Sequence, residues 1–307
     1  MKTYDCAIQL PNWVGDTVMA TPLLSALKTL HLNCILLGKP WAQSLLNGFS
    51  IDTMIYPQNK HARIQCWKQI NAKYTLVLPN SLSSALIPWL AGKKVIGMKT
   101  NSRRVFLKHP VKKNDHKHEV EYYWQLAKKV AAVFDLSIPA TPPSHLTLPL
   151  LEKEKIKARE IIDQHRLEDF IIICPFAAGL HKGQSKVWPH WNTLINEIKQ
   201  HGKNVICCPA PNETILCKEQ VLGCKILENI SLSTFAALCK KSACIISNDT
   251  GPMHIAAAVN PDKTCGVFGV TNPKLTAPWG AHYITPTTNQ WPSVNDVLDW
   301  VQQQSLV

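Results

Sequence analysis

Short apolar runs alternate with helix-patterned segments along almost the whole chain, and few folds accommodate that rhythm. The runs "YDCAIQL", "CILLG", "TMIYP", "YTLVLP" and "VIG" are separated by segments such as "TPLLSALKTL", where Leu23, Leu27 and Leu30 fall on one helical face. The runs are continuous rather than alternating in polarity, as expected of parallel strands covered on both faces. A longer helix is expected at about Val120 to Phe134. The rhythm breaks at "DLSIPATPPSHLTLPLLEKEK", whose four prolines mark a linker. It then restarts, with "FIIICP", "NVICCPA", "KILEN", "SACIIS" and "TCGVFG" as strands. "HWNTLINEIKQ", "NETILCKEQVL", "LSTFAALCKK" and "PMHIAAAV" are the helices between them, and "SVNDVLDWVQQQ" is a last helix capped by Ser293. The expectation is an α/β chain of two doubly wound, Rossmann-like domains, residues 1–150 and 151–307. Open parallel sheets bind ligands at the carboxyl ends of their strands, so a cleft between two such domains is the default site.

The bulk numbers are consistent with this. The chain has 307 residues, 46% apolar and 18% charged, which suits a globular protein with substantial cores. No apolar run approaches the ~20 residues of a membrane span. The N-terminus "MKTYDCAIQL" lacks the order of a signal peptide, and a cytoplasmic location is expected. The eleven cysteines lie mostly in strand-like runs, with no CxxC pair, and read as reduced core residues rather than metal ligands. The net charge is +12, of which +8 is concentrated in "KKVIGMKTNSRRVFLKHPVKKNDHKH", Lys93 to His118. Such a basic loop is either a solvated surface or the contact for an anionic partner: nucleic acid, a membrane surface or a phosphorylated substrate.

Four stretches carry candidate chemistry. "NWVGDTVMATPLL" puts Gly15 and Asp16 where the first strand turns into a helix. A carboxylate there either caps the helix or serves the crevice at the strand end. "CIISNDTGPMHIAAAV" runs a buried strand into a turn, Asn248-Asp249-Thr250-Gly251, and then a helix begun by Pro252. The free N–H groups of that helix suit a phosphate or diphosphate, though an ordinary capped helix has the same pattern. "SKVWPHWNTL" places Lys186 after another strand and its loop, as a surface lysine or a phosphate ligand. In "PAPNE", Glu213 is either a first-turn glutamate or an acceptor for ribose hydroxyls. No DxD-like metal site is evident.

Taken in order, "NWVGDTVMATPLL", "LVLPNSLSSALIPWLAG", "SKVWPHW", "SNDTGPMHIAAA" and "VFGVTNPKLTAPWG" resemble the lipopolysaccharide heptosyltransferases of glycosyltransferase family 9, most of all those adding the second heptose. The resemblance covers nearly the whole chain. It implies the GT-B fold, two Rossmann-like domains facing across a cleft. It also implies inverting transfer of heptose from ADP-L-glycero-D-manno-heptose to the inner core, with no metal and no other cofactor. By this resemblance Asp16 is the general base and Lys186 the ligand of the donor diphosphate. Asp249, Thr250 and Gly251 form the diphosphate-binding turn, and His254, in the helix that follows, also binds the donor. Glu213 contacts the ribose, and Ile230, before "SLSTF", packs on the adenine. Asn12 and Gly15 stand on the acceptor side, with Lys99, Arg103 and Arg104 meeting an anionic lipid A-core acceptor at the inner membrane surface. The alternatives are a related GT-B enzyme with another nucleotide sugar or acceptor, and a basic nucleic-acid-binding protein. No RNA-binding signature supports the second, and nucleic acid is not an expected partner.

Overall fold

The structure, a computed structural model, describes residues 2–177, 179–287 and 291–305. The chain divides into two compact units, Met1–Pro143 and Ser144–Val307. The sequence-based boundary at 150/151 is therefore too late. Leu146 and Leu148 are buried, and Gly280 (φ +74°) passes so near the segment that a Cβ there would meet the Ser144 carbonyl oxygen at 2.5 Å. Residues 144–150 thus belong to the second unit.

The first unit is built from β1 (Thr3–Gln9), α1 (Val14–Met19), α2 (Thr21–Thr29), β2 (Cys34–Gly38), α3 (Pro40–Leu45), β3 (Asp52–Ile55), α4 (Lys60–Gln69), β4 (Asn71–Val77), α5 (Leu82–Leu90), β5 (Val95–Lys99), β6 (His109–Lys112) and α6 (Glu119–Val133). Its six strands are all parallel, in the order β3-β2-β1-β4-β5-β6. β1 is central, with Ala7 beside Ile35 on one flank and Thr75 on the other. Cys6, Ala7 and Ile8 have no exposed surface, which is why this run has no polar alternation. The basic segment is not a loop: it contains β5, a 3-10 turn at Asn101–Phe106 and the edge strand β6. "HPVK" is short and weakly apolar, so it gave no strand signal. α6 begins one residue before expectation, at a reciprocal cap. The His118 ring accepts from the Val120 N–H, and Glu121 accepts from the His118 N–H at 3.3 Å.

The second unit runs α7 (Glu152–His165), β7 (Ile171–Cys174), the hairpin β8 (Leu180–His181) and β9 (Gln184–Ser185), α8 (Trp191–Gln200), β10 (Val205–Cys207), α9 (Thr214–Gln220), β11 (Lys225–Ile226), α10 (Leu232–Lys241), β12 (Cys244–Asn248), α11 (Gly251–Val259), β13 (Thr264–Val267), α12 (Pro273–Thr276), β14 (His282–Ile284) and α13 (Val294–Ser305). Its parallel sheet is ordered β11-β10-β7-β12-β13-β14. Renumbered within the unit, this is the same 3-2-1-4-5-6 order as the first sheet, the dinucleotide-fold order. The core joins Ile171, Ile173, Trp188, Leu194, Ile246 and Val301. α13 has the Ser293 cap expected from its sequence, with Ser293 Oγ accepting from the Asp296 N–H at 3.2 Å. Nine of the eleven cysteines are buried and the other two half-buried, so they serve as packing residues. Among the described residues, no helix is long and apolar enough to cross a membrane.

Candidate active site

Each sheet reverses its strand order once, and there the loops leaving neighbouring strands part to open a crevice. In the second unit the reversal lies between β7 and β12. Lys186 comes from the segment after β7, and its Nζ donates to the Asp249 carbonyl oxygen at 3.2 Å. Asp249 and Thr250 follow β12, and α11 starts at Gly251 with Pro252 in its first turn and no side chain capping it. The lysine and the uncapped helix start are therefore adjacent, as a diphosphate ligand requires.

Asn248 fixes this geometry. It is fully buried; its Oδ1 accepts from the Trp188 N–H at 3.0 Å and its Nδ2 donates to the Pro175 carbonyl at 2.5 Å. The buried Trp188 ring also donates from Nε1 to the Pro292 carbonyl at 2.9 Å. One asparagine thus ties both ends of the loop carrying Lys186 to the end of β12. Beside it is a pocket of about 430 Å³, lined by Leu180, His181 and Lys182 of the hairpin, by Lys186 and Asp249, and by the 271–276 segment. Burial raises the Asp249 carboxyl above its ordinary value, opposed by a Thr271 hydrogen bond, the Lys186 charge and a Thr276 hydroxyl 3.3 Å away. The pocket is basic, with one carboxylate held by two threonines.

Glu213 follows β10, and Ile230 lies between β11 and α10, so both leave the same carboxyl edge of the sheet. Glu213 accepts from the Ala210 N–H at 3.1 Å; the Cys174 thiol at the end of β7 is pushed up by burial first, with the Glu213 charge adding to it. Ile230 is half-buried. His254 departs from expectation. It is 3% exposed, within a helix buried from Met253 to Val259.

In the first unit the reversal lies between β1 and β4. Asp16 sits half-buried in the first turn of α1, directly after β1. α1 packs against α6, where the charge of Asp16 reaches Glu119, Tyr122 and Tyr123. Burial, and then the negative charge of Asp16, push the Glu119 carboxyl above its ordinary value. Tyr122 Oη donates to Asn80 Oδ1 at 2.7 Å, linking α6 to the segment after β4. Asn12 is exposed, and Trp13 beside it is 66% exposed with Lys39 Nζ 5.8 Å from its ring centroid. Gly15 is buried within α1. Lys99 and Arg104 are exposed, but Arg103 has no exposed surface. Its Nη1 donates to the Pro79 carbonyl at 2.7 Å, and its Nη2 lies against Gly97. The expectation of a surface contact is corrected: the Arg103 guanidinium pins the loop after β4 from inside.

The profile of glycosyltransferase family 9 (heptosyltransferase) matches residues 63–297, well over half the chain. The chain belongs to glycosyltransferase family 9. Lipooligosaccharide heptosyltransferase 2 of Haemophilus influenzae is 29% identical over 296 residues, covering 87% of this chain and 84% of that protein. The structure of E. coli ADP-heptose LPS heptosyltransferase II superposes with a TM-score of 0.78 at 23% identity, over 98% of each chain. An E. coli heptosyltransferase solved with ADP gives a TM-score of 0.75 at 17% identity, over 97% of this chain and 99% of that one. The glycosyltransferase has the GT-B fold implied by its motifs.

In this glycosyltransferase, four residues at the two crevices are not singled out by the sequence alone. Asn248 had one available signal, an amide ending an otherwise apolar strand, which must find partners when buried. Thr271 and Thr276 fall in a segment matched as a whole, without roles. Glu119 had none, since an acidic first turn is ordinary in any helix.

Proposed function

We propose that the enzyme transfers heptose from ADP-L-glycero-D-manno-heptose to the lipopolysaccharide inner core, as the second heptose, with inversion and without a metal. The observation that carries this reading is the contact of Lys186 with the start of α11 at the sheet reversal, in a chain of this family. The diphosphate would take the lysine and the free N–H groups in place of the Asp249 carbonyl. Glu213 and Ile230, from neighbouring loops of the same sheet edge, suit the ribose and adenine. The sugar then falls to the basic pocket lined by His181, Lys182 and Thr271.

The acceptor hydroxyl attacks the anomeric carbon as its bond to the diphosphate oxygen breaks. Asp16 takes the hydroxyl proton, and ADP departs with its added negative charge. Lys186 and the helix start stabilise that charge where it develops. Asn12, Gly15, Lys99 and Arg104 are the acceptor side of the reading, and a lipid A-core acceptor supplies the anionic groups that Lys99 and Arg104 require. The enzyme would act in the cytoplasm, on the inner face of the inner membrane.

Donor competition tests the reading. ADP-heptose should be consumed in preference to other nucleotide sugars, and EDTA should leave the rate unchanged. Preference for a uridine donor, or strict dependence on added Mg²⁺ or Mn²⁺, would contradict it.

A further inference from the structure

α5 carries no charge and turns an apolar stripe outward. Leu82, Leu86, Trp89 and Leu90 recur at helical spacing on one side. Leu82, Trp89 and Leu90 are 49%, 48% and 51% exposed, and Leu86 is half-buried. The opposite side, with Ala85, Ile87 and Pro88, faces the core. The 3-10 turn at Asn101–Phe106 packs along α5, with the Phe106 and Trp89 ring centroids 5.3 Å apart. It adds Val105, 73% exposed. Basic residues bracket this face: exposed Lys94 follows α5, and exposed Arg104 and Lys108 flank Val105 and Phe106.

We propose that this face of α5 and the adjoining turn docks the enzyme on an anionic lipid bilayer. Trp89, Leu90 and Val105 enter the headgroup region, and Lys108 and Lys94 meet lipid phosphates. Contiguous exposed apolar surface of this kind is unusual on a monomer that meets only water. An uncharged helix stripe with a tryptophan, fringed by lysine and arginine, matches the chemistry of a membrane interface. A second copy of the chain is a poor occupant, because a two-fold contact through this patch would set its basic fringe against itself. The inference deepens the reading of a lipid-anchored acceptor, but needs neither donor nor acceptor to be tested.

The test is co-sedimentation of the full chain with vesicles of phosphatidylglycerol and phosphatidylcholine, or of phosphatidylcholine alone, without lipopolysaccharide or ADP-heptose. Wild type should bind the anionic vesicles, and less so as salt rises. Leu90→Glu and Val105→Glu, both at exposed positions, should each weaken binding by about tenfold or more. Both should keep wild-type turnover on a deacylated, water-soluble acceptor, which also shows that they fold. Binding unchanged in both variants would overturn the proposal. So would a wild-type dimer in light scattering that Val105→Glu dissociates, which would make the face an interface between copies. A wild type that binds vesicles but transfers no heptose would refute the proposed function and leave the docking face standing.

Discussion

At the scale of single residues, the two proposed chemical roles separate cleanly. Asp16→Asn should preserve ADP binding and cut turnover by about 10²–10⁴-fold, because only proton removal is lost. Near-normal turnover in that variant would remove Asp16 from the mechanism. Lys186→Ala should weaken ADP binding and slow transfer by about 10²–10³-fold, the usual loss for one charge-stabilising donor; isothermal titration with ADP and a steady-state rate read both. Glu119 gives a pH-dependent effect. Its carboxyl is raised by burial and by Asp16, and Lys113 opposes while Asp115 adds to the shift. A raised acid favours the folded state when protonated. That contribution is full below the ordinary glutamate value of 4.5 and is lost as pH rises through the folded value. Glu119→Gln should therefore have a higher Tm than wild type at pH 7, with the gain shrinking as pH falls toward 4.5. An equal Tm difference at both pH values would show that the Glu119 carboxyl is not raised in the folded state.

Among the elements, α11, which we propose binds the donor, depends on close packing beneath it. Gly266 of β13 lies against it, and a Cβ there would meet Met253 Sδ at 2.7 Å and Phe268 Cε2 at 2.8 Å. Both are buried side chains with little room to move. Gly266→Ala should cost about 1–3 kcal/mol and weaken ADP binding by displacing the start of α11; a Tm and an ADP affinity equal to wild type would contradict this. The same elements show what the sequence can reveal. Buried central strands such as "CIISN" and "FIIIC" are legible because both faces demand apolar residues. Of the edge strands, "TMIYP" and "KILEN" were legible but "HPVK" and "HYI" were not, being short and weakly apolar, and the hairpin at Leu180–Ser185 owes its form to Gly183 (φ +82°) rather than to apolar pattern. The site follows the same division. The pairing of Lys186 with the start of α11 was legible because a lysine and a proline-started helix are patterns of residue type. The burial of Arg103 and His254 was not, since sequence assigns charge but not which side of an element faces the core.

For the whole molecule, two units repeat one topology and differ in what their crevices hold. The second presents a lysine and a helix start; the first presents a carboxylate and a tyrosine–asparagine pair, with exposed basic residues at Lys99 and Arg104 after β4 and α5. That division suits a donor and an acceptor of different chemistry. The sequence-level charge count pointed to an anionic partner without separating acceptor from lipid surface, because +8 over one segment carries no direction. The most direct measurement is the mass of the product. Purified enzyme is incubated with ADP-heptose and lipid A-core acceptors bearing either no heptose or one. The account predicts a gain of one heptosyl unit on the acceptor that already bears one, with release of ADP. No gain on either acceptor, with the donor left intact, would contradict it.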